Sequence, residues 1–150
     1  MQQTFDDLIE FVESKGYKVQ ITSETDGDFF YPSSKRIVIE KRDEKTMLFY
    51  LLHEIGHMLL HIDKEEWRDQ NLKYTLDDDV EDDIDFNKVW YQCANLSEEH
   101  KAWSLGKKLI HDFEININMK EYEAEWADAI KDYIFHAYRI LSNNQDNTPV

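Results

Sequence analysis

His53-Glu54-Ile55-Gly56-His57 lies inside the apolar run Leu51–His61. On an α-helix, residues four apart share a face one turn from each other. His53 and His57 can therefore offer two neutral imidazoles to the same zinc ion. Glu54 follows the first histidine, so its carboxylate lies beside a metal held there. Zinc lowers the pKa of water to about 7, and a neighbouring carboxylate can take the proton and pass it to a leaving amine. The flanks fit a buried helix. Met47 to Leu52 contain no breaker, and Asp43 and Glu44 place negative charge near the helix start, where it is favourable. Gly56 costs about 1 kcal/mol against Ala in mid-helix, which points to close approach by another backbone. The competing reading, two satisfied core histidines, leaves Glu54 unexplained.

Composition bounds the rest. A chain of 150 residues with 41% hydrophobic content fits one domain, 1–150, with a real core. A net charge of −15 excludes phosphate-driven nucleic-acid binding and speaks against anionic membrane surfaces. One cysteine, Cys93, cannot form an internal disulfide, and it reads as a small buried apolar residue. The acidic start lacks a signal region, and no apolar run reaches the length of a membrane span. A reducing cytoplasm is the expected compartment.

Along the chain, Thr4 is a candidate cap for a first helix with Phe5, Leu8, Ile9 and Val12 on one stripe, ended by Gly16. Tyr17 to Thr22, Phe29 to Tyr31 and Arg36 to Glu40 read as strands of a short antiparallel sheet. The metal helix is expected from about Asp43 to His61. Residues 62–95 show no clear period and read as an acidic insertion around Asp77, Asp78, Asp79, Glu81, Asp82, Asp83 and Asp85. Blocks of like charge resist packing, so a solvated loop is expected rather than a calcium site or a docking surface. Trp67, Tyr74, Phe86, Trp90 and Tyr91 suggest anchoring at several points.

A third helix is expected from Asn95 or Ser97 to His111, with Ala102, Leu105, Gly106, Leu109 and Ile110 as its apolar stripe. Extended backwards, that stripe passes through Glu99. A carboxylate in a core phase is costly unless paired or bound to metal, so Glu99 is the preferred third ligand. Glu121 competes, but it falls with Glu125, Asp128 and Asp132 on the polar face of a last helix. The opposite stripe there is Tyr122, Trp126, Ala129, Tyr133, Ala137 and Ile140. His61 shares the face of His53 and His57 but lies about 6 Å further along the axis, which suits a supporting role. His100, His111 and His136 read as surface or boundary residues, and Trp103, Trp126 and Tyr133 as core. Tyr74, Tyr91 and His100 are candidate donors to a reacting carbonyl oxygen.

The stretch Leu51–His61, preceded by the strand Lys35-Arg36-Ile37-Val38-Ile39, resembles the metal helix of the ImmA/IrrE family of zinc peptidases. Glu99-His100-Lys101-Ala102 is similar to the Glu-x-x-Ala helix that supplies that family's third ligand. Glu121-Tyr122-Glu123-Ala124 resembles it as well, and Trp103 stands where the family often has Asn or Asp. The resemblance covers roughly residues 30–110. It implies a small α+β zincin-like domain with further C-terminal helices, Zn2+ on His53, His57 and Glu99, and Glu54 as catalytic acid/base. The implied substrate is a helix-turn-helix transcriptional repressor of a phage or mobile element. A non-catalytic zincin scaffold that regulates a partner through its acidic surface is the alternative, and a DNA mimic a third. The intact His53, Glu54 and His57 favour the enzyme. The sequence leaves the oligomeric state open.

Overall fold

The computed structural model describes residues 2–70 and 89–143. The order is α1 (Gln2–Ser14), β1 (Lys18–Thr22), β2 (Phe29–Tyr31), β3 (Arg36–Glu40), α2 (Glu44–Gln70), α3 (Val89–Asp112) and α4 (Met119–Asn143). It is an α+β arrangement of four helices and a three-stranded sheet among the described residues. The acidic cluster Asp77–Asp85, with Tyr74 and Phe86, lies outside them, as do the side chains of Trp67 and Trp90.

Phe5, Leu8 and Val12 bury one stripe of α1. Helix α1 begins at Gln2, so Thr4 is in its first turn and does not cap it. At the other end Gly16 takes φ 82°. Its N–H donates to Glu13 O, and Tyr17 N–H reaches back to Val12 O, a paired closure that needs a left-handed residue.

The sheet is mixed, not antiparallel. Its order is β1-β3-β2, with β1 parallel to β3 (Val19 opposite Ile37) and β2 antiparallel to it (Phe30 opposite Ile37). The tight turn closed by Lys35 N–H to Pro32 O pairs β2 with β3. Ile37, Val38 and Ile39 are all buried, so β3 is the strand that needs a neighbour on both sides. β1 therefore takes the free side of β3, which leaves β1 and β2 as the two edges of this sheet.

Asp43 starts α2: its Oδ1 accepts the Thr46 N–H at 3.0 Å and its Oδ2 the Thr46 hydroxyl at 2.7 Å. The helix runs nine residues beyond His61, and α3 begins at Val89, so both helices extend into the stretch expected to be irregular. α2 and α3 pack most extensively of all element pairs. A Cβ on Gly56 would stand 2.1 Å from Ala102 O, and one on Gly106 would stand 3.0 Å from Leu52 O. These two contacts set the helices antiparallel at close range. Ala102 lies one turn after Glu99, so the same contact brings Glu99 alongside the histidine turn of α2. The core joins Leu48, Leu51, Leu52, Ile55 and Met58 of α2 to Trp103, Leu109 and Ile110 of α3, with Tyr122 of α4. No described helix is long and apolar enough to cross a membrane.

Candidate metal centre

His53 and Glu54 are buried, and His57 is half-buried at the edge of a cleft. Nε2 of His53 and Nε2 of His57 are 3.2 Å apart. Glu99 enters from α3 with Oε2 3.3 Å from His53 Nε2 and Oε1 3.3 Å from His57 Nε2. Ligand atoms of these three residues all lie within 4.8 Å of one another. Ligands 2.0–2.2 Å from a tetrahedral zinc ion are roughly 3.3–3.6 Å apart, so the spacing suits zinc without rearrangement. Glu99 Oε2 is buried and, although close to His53, lies off its hydrogen-bonding direction and has no hydrogen-bond partner among the described residues. A buried carboxylate oxygen left in this state is what a cation would satisfy. The donor set of two imidazoles and one carboxylate is that of a catalytic zinc site with a position left for water.

Charge within the cluster follows from burial and proximity. Burial pushes the Glu54 carboxyl up to about 8, with Glu99 adding to the rise and His57 opposing it. Burial also acts against charge on Glu99, but the two imidazoles beside it win and hold its carboxyl at about 2. Burial lowers His53, whereas at His57 burial is outweighed by Glu99 and the group is raised. A divalent cation reverses such preferences and favours the charged carboxylates. Glu54 Oε1 is 3.8 Å from His53 Nε2, beside the ligand cluster and outside it.

The cleft above the cluster is about 380 Å3, and the β2 residues Phe29 and Phe30 form part of its wall. A second cavity of about 270 Å3 opens on the other side of His53, walled by Tyr50, Trp103, Ala129 and Arg42. Asp28, its side chain only 4% exposed, braces that wall: its Oδ2 pairs with Arg42 Nη1 at 2.7 Å, and its Oδ1 accepts the Glu40 N–H at 2.9 Å. The Arg42 guanidinium lies over the Tyr50 ring, whose hydroxyl donates to Glu125 Oε1 at 2.9 Å. Burial and that carboxylate push the Tyr50 phenol up to about 12, so it stays a donor.

Glu121 is not in the cluster. It is exposed in the first turn of α4 and pairs with Lys45 at 3.2 Å. His61 lines the cleft and packs on Phe30, with ring centroids 5.7 Å apart, and is not among the three grouped ligands. His100 is exposed and leans on Trp126, and Tyr91 lines a separate cavity between α3 and α4. Cys93 is exposed, because α3 starts early and turns it outward instead of burying it. Tyr133 is 41% exposed and not core. It lines both cavities, and burial of its hydroxyl, with the Glu99 charge adding to it, raises that phenol well above its ordinary value. Sequence reading missed Asp28, Arg42 and Tyr133 at the site. For Tyr133 the only signal was its place on the α4 stripe, which does not say what that stripe faces at each turn. No protein-family model, no curated protein and no solved structure matches this chain.

Proposed function

We propose that this chain is a zinc-dependent peptidase of zincin-like type, acting on one partner protein. The observation that carries the reading is the triangle of His53, His57 and Glu99 donors at 3.2–3.3 Å, with Glu54 buried beside it at the floor of an open cleft. Zinc bound there supplies Lewis acidity, polarising a carbonyl and bringing the pKa of water toward about 7. His53 and His57 hold the metal from one helix, and Glu99 closes the set from the next. Glu54 takes the proton of the attacking water and returns it to the amide nitrogen as the C–N bond breaks. The walls of Phe29, Phe30, Tyr50 and Trp103 leave room for side chains on either side of that bond.

The resemblance of Leu51–His61 and Glu99–Ala102 to ImmA/IrrE peptidases supports a helix-turn-helix repressor as the partner. Protein never exposed to chelator is expected to carry about one zinc per chain. Co-expression with repressors encoded nearby, read by mass spectrometry, should give one defined cleavage. Glu54→Gln should keep the zinc and abolish that cleavage, because an amide cannot accept the proton. A chain without zinc, or a Glu54→Gln variant that cleaves at the wild-type rate, overturns the reading.

A further inference from the structure

The two cavities beside the metal centre meet at four shared residues: Asp28, His53, Glu54 and Tyr133. A peptide crossing from one cavity to the other has its reacting carbonyl at that junction. Three of the four are already engaged. His53 belongs to the ligand set, Glu54 is the proton acceptor, and Asp28 is held by Arg42 and the Glu40 N–H. Tyr133 alone brings a neutral hydroxyl, protonated at pH 7 and able to donate. It comes from α4, which supplies no ligand, and it shares the lining of the first cavity with His57 and Glu99. The residue is 41% exposed, so rotation of its side chain toward a substrate meets little packing.

We propose that the Tyr133 hydroxyl is the donor that stabilises negative charge on the substrate's carbonyl oxygen. This rests on the peptidase reading of the same site. As water adds, its oxygen bonds to the carbonyl carbon and the π pair moves onto the carbonyl oxygen, while Glu54 takes the proton. The π pair then returns, the C–N bond breaks, and the proton goes from Glu54 to nitrogen. Tyr133 donates a hydrogen bond to the oxygen throughout and transfers no proton, the role of an oxyanion-hole donor. Among the other donors at the two cavities, the Tyr50 hydroxyl donates to Glu125, Arg42 is paired with Asp28 and Glu40, and His61 packs on Phe30. Tyr91 and His100 line neither cavity, and Lys64 is tied to Glu98 at 2.6 Å.

The test needs no natural substrate. Methylphosphonate, a small tetrahedral anion, is titrated into cobalt-substituted full-length protein at saturating metal, followed by visible absorption. Tyr133→Phe is expected to weaken methylphosphonate binding about 10- to 100-fold, the loss of one hydrogen bond to a charged acceptor. Zinc affinity, measured by chelator competition, is expected to fall by less than methylphosphonate affinity does, because the phenol is not itself a ligand. Unchanged methylphosphonate affinity in Tyr133→Phe overturns the proposal. If zinc affinity falls in that variant while methylphosphonate affinity does not, Tyr133 serves only to hold Glu99. A metal-loaded wild type that does not bind methylphosphonate also overturns it. Failure of the wild type to bind metal is a different result and strikes the peptidase reading itself.

Discussion

The imidazole of His53 lies against the indole of Trp103, with ring centroids 4.5 Å apart and planes 28° from parallel. Its Nδ1 is buried and has no hydrogen-bond partner among the described residues. A zinc-binding histidine usually donates its second N–H to a carboxylate or carbonyl, which fixes the ring. In the proposed site a flat aromatic face takes that part for His53. The indole is itself immobile: it is fully buried, Tyr122 donates to its backbone carbonyl at 2.9 Å, and Tyr50 meets its ring edge-on.

Removing that face should therefore act on the metal. Trp103→Phe keeps a ring and should leave zinc affinity within about threefold of wild type, whereas Trp103→Leu should lower it about 10-fold, as other supporting contacts do. Chelator competition on folded protein at low temperature checks both. Equal affinity in the two variants would show that stacking does not position His53.

The third ligand is decided by the two carboxylates Glu99 and Glu121. Glu99 sits 3.3 Å from both imidazoles, and Glu121 pairs with Lys45 at the surface. Glu99→Gln should weaken zinc binding about 10-fold or more, and Glu121→Gln should have no measurable effect. His61→Ala should fall between them at most, through the placement of Phe30. Zinc titrations on the three variants separate these outcomes, and a loss confined to the Glu121 variant would contradict the geometry.

Gly56→Ala should be among the most damaging single changes. The new methyl would meet Ala102 O at 2.1 Å, and that atom is backbone in a packed helix. Relief requires α2 and α3 to separate, so a cost of about 3 kcal/mol or more is expected. Because Glu99 moves with α3, zinc affinity should drop along with the Tm. Denaturant unfolding with a zinc titration tests the pair, and a variant of normal stability would show that the helices have slack.

Asp43 caps α2 through two bonds to Thr46, which lower its carboxyl below the ordinary value. A depressed folded-state pKa means stability that is present above the unfolded-state value, about 3.9, and lost as pH falls through the folded one. Asp43→Ala should lower the Tm by a few degrees at neutral pH. The difference from wild type should shrink as the pH is taken below about 4. A gap that stays constant into that range would mean that the charge on Asp43 is irrelevant to the cap.

Sequence alone determined what repeats locally. The four-residue spacing of His53 and His57, the core phase of Glu99 and the apolar run Ile37–Ile39 each follow from one element's period, which side-chain direction makes readable. The misplaced features depend on contacts distant in sequence. β1 pairs parallel to β3 because the β2 hairpin already occupies the other side of that buried strand. α2 and α3 extend into the stretch expected to be irregular. Tyr133 and Asp28 reach the cleft only because α4 and the turn before β2 come to rest beside α2. Local periodicity says which way a side chain faces from its own backbone. Only tertiary packing says what stands in front of it, and at this site that was settled by the close contact of Gly56 with Ala102.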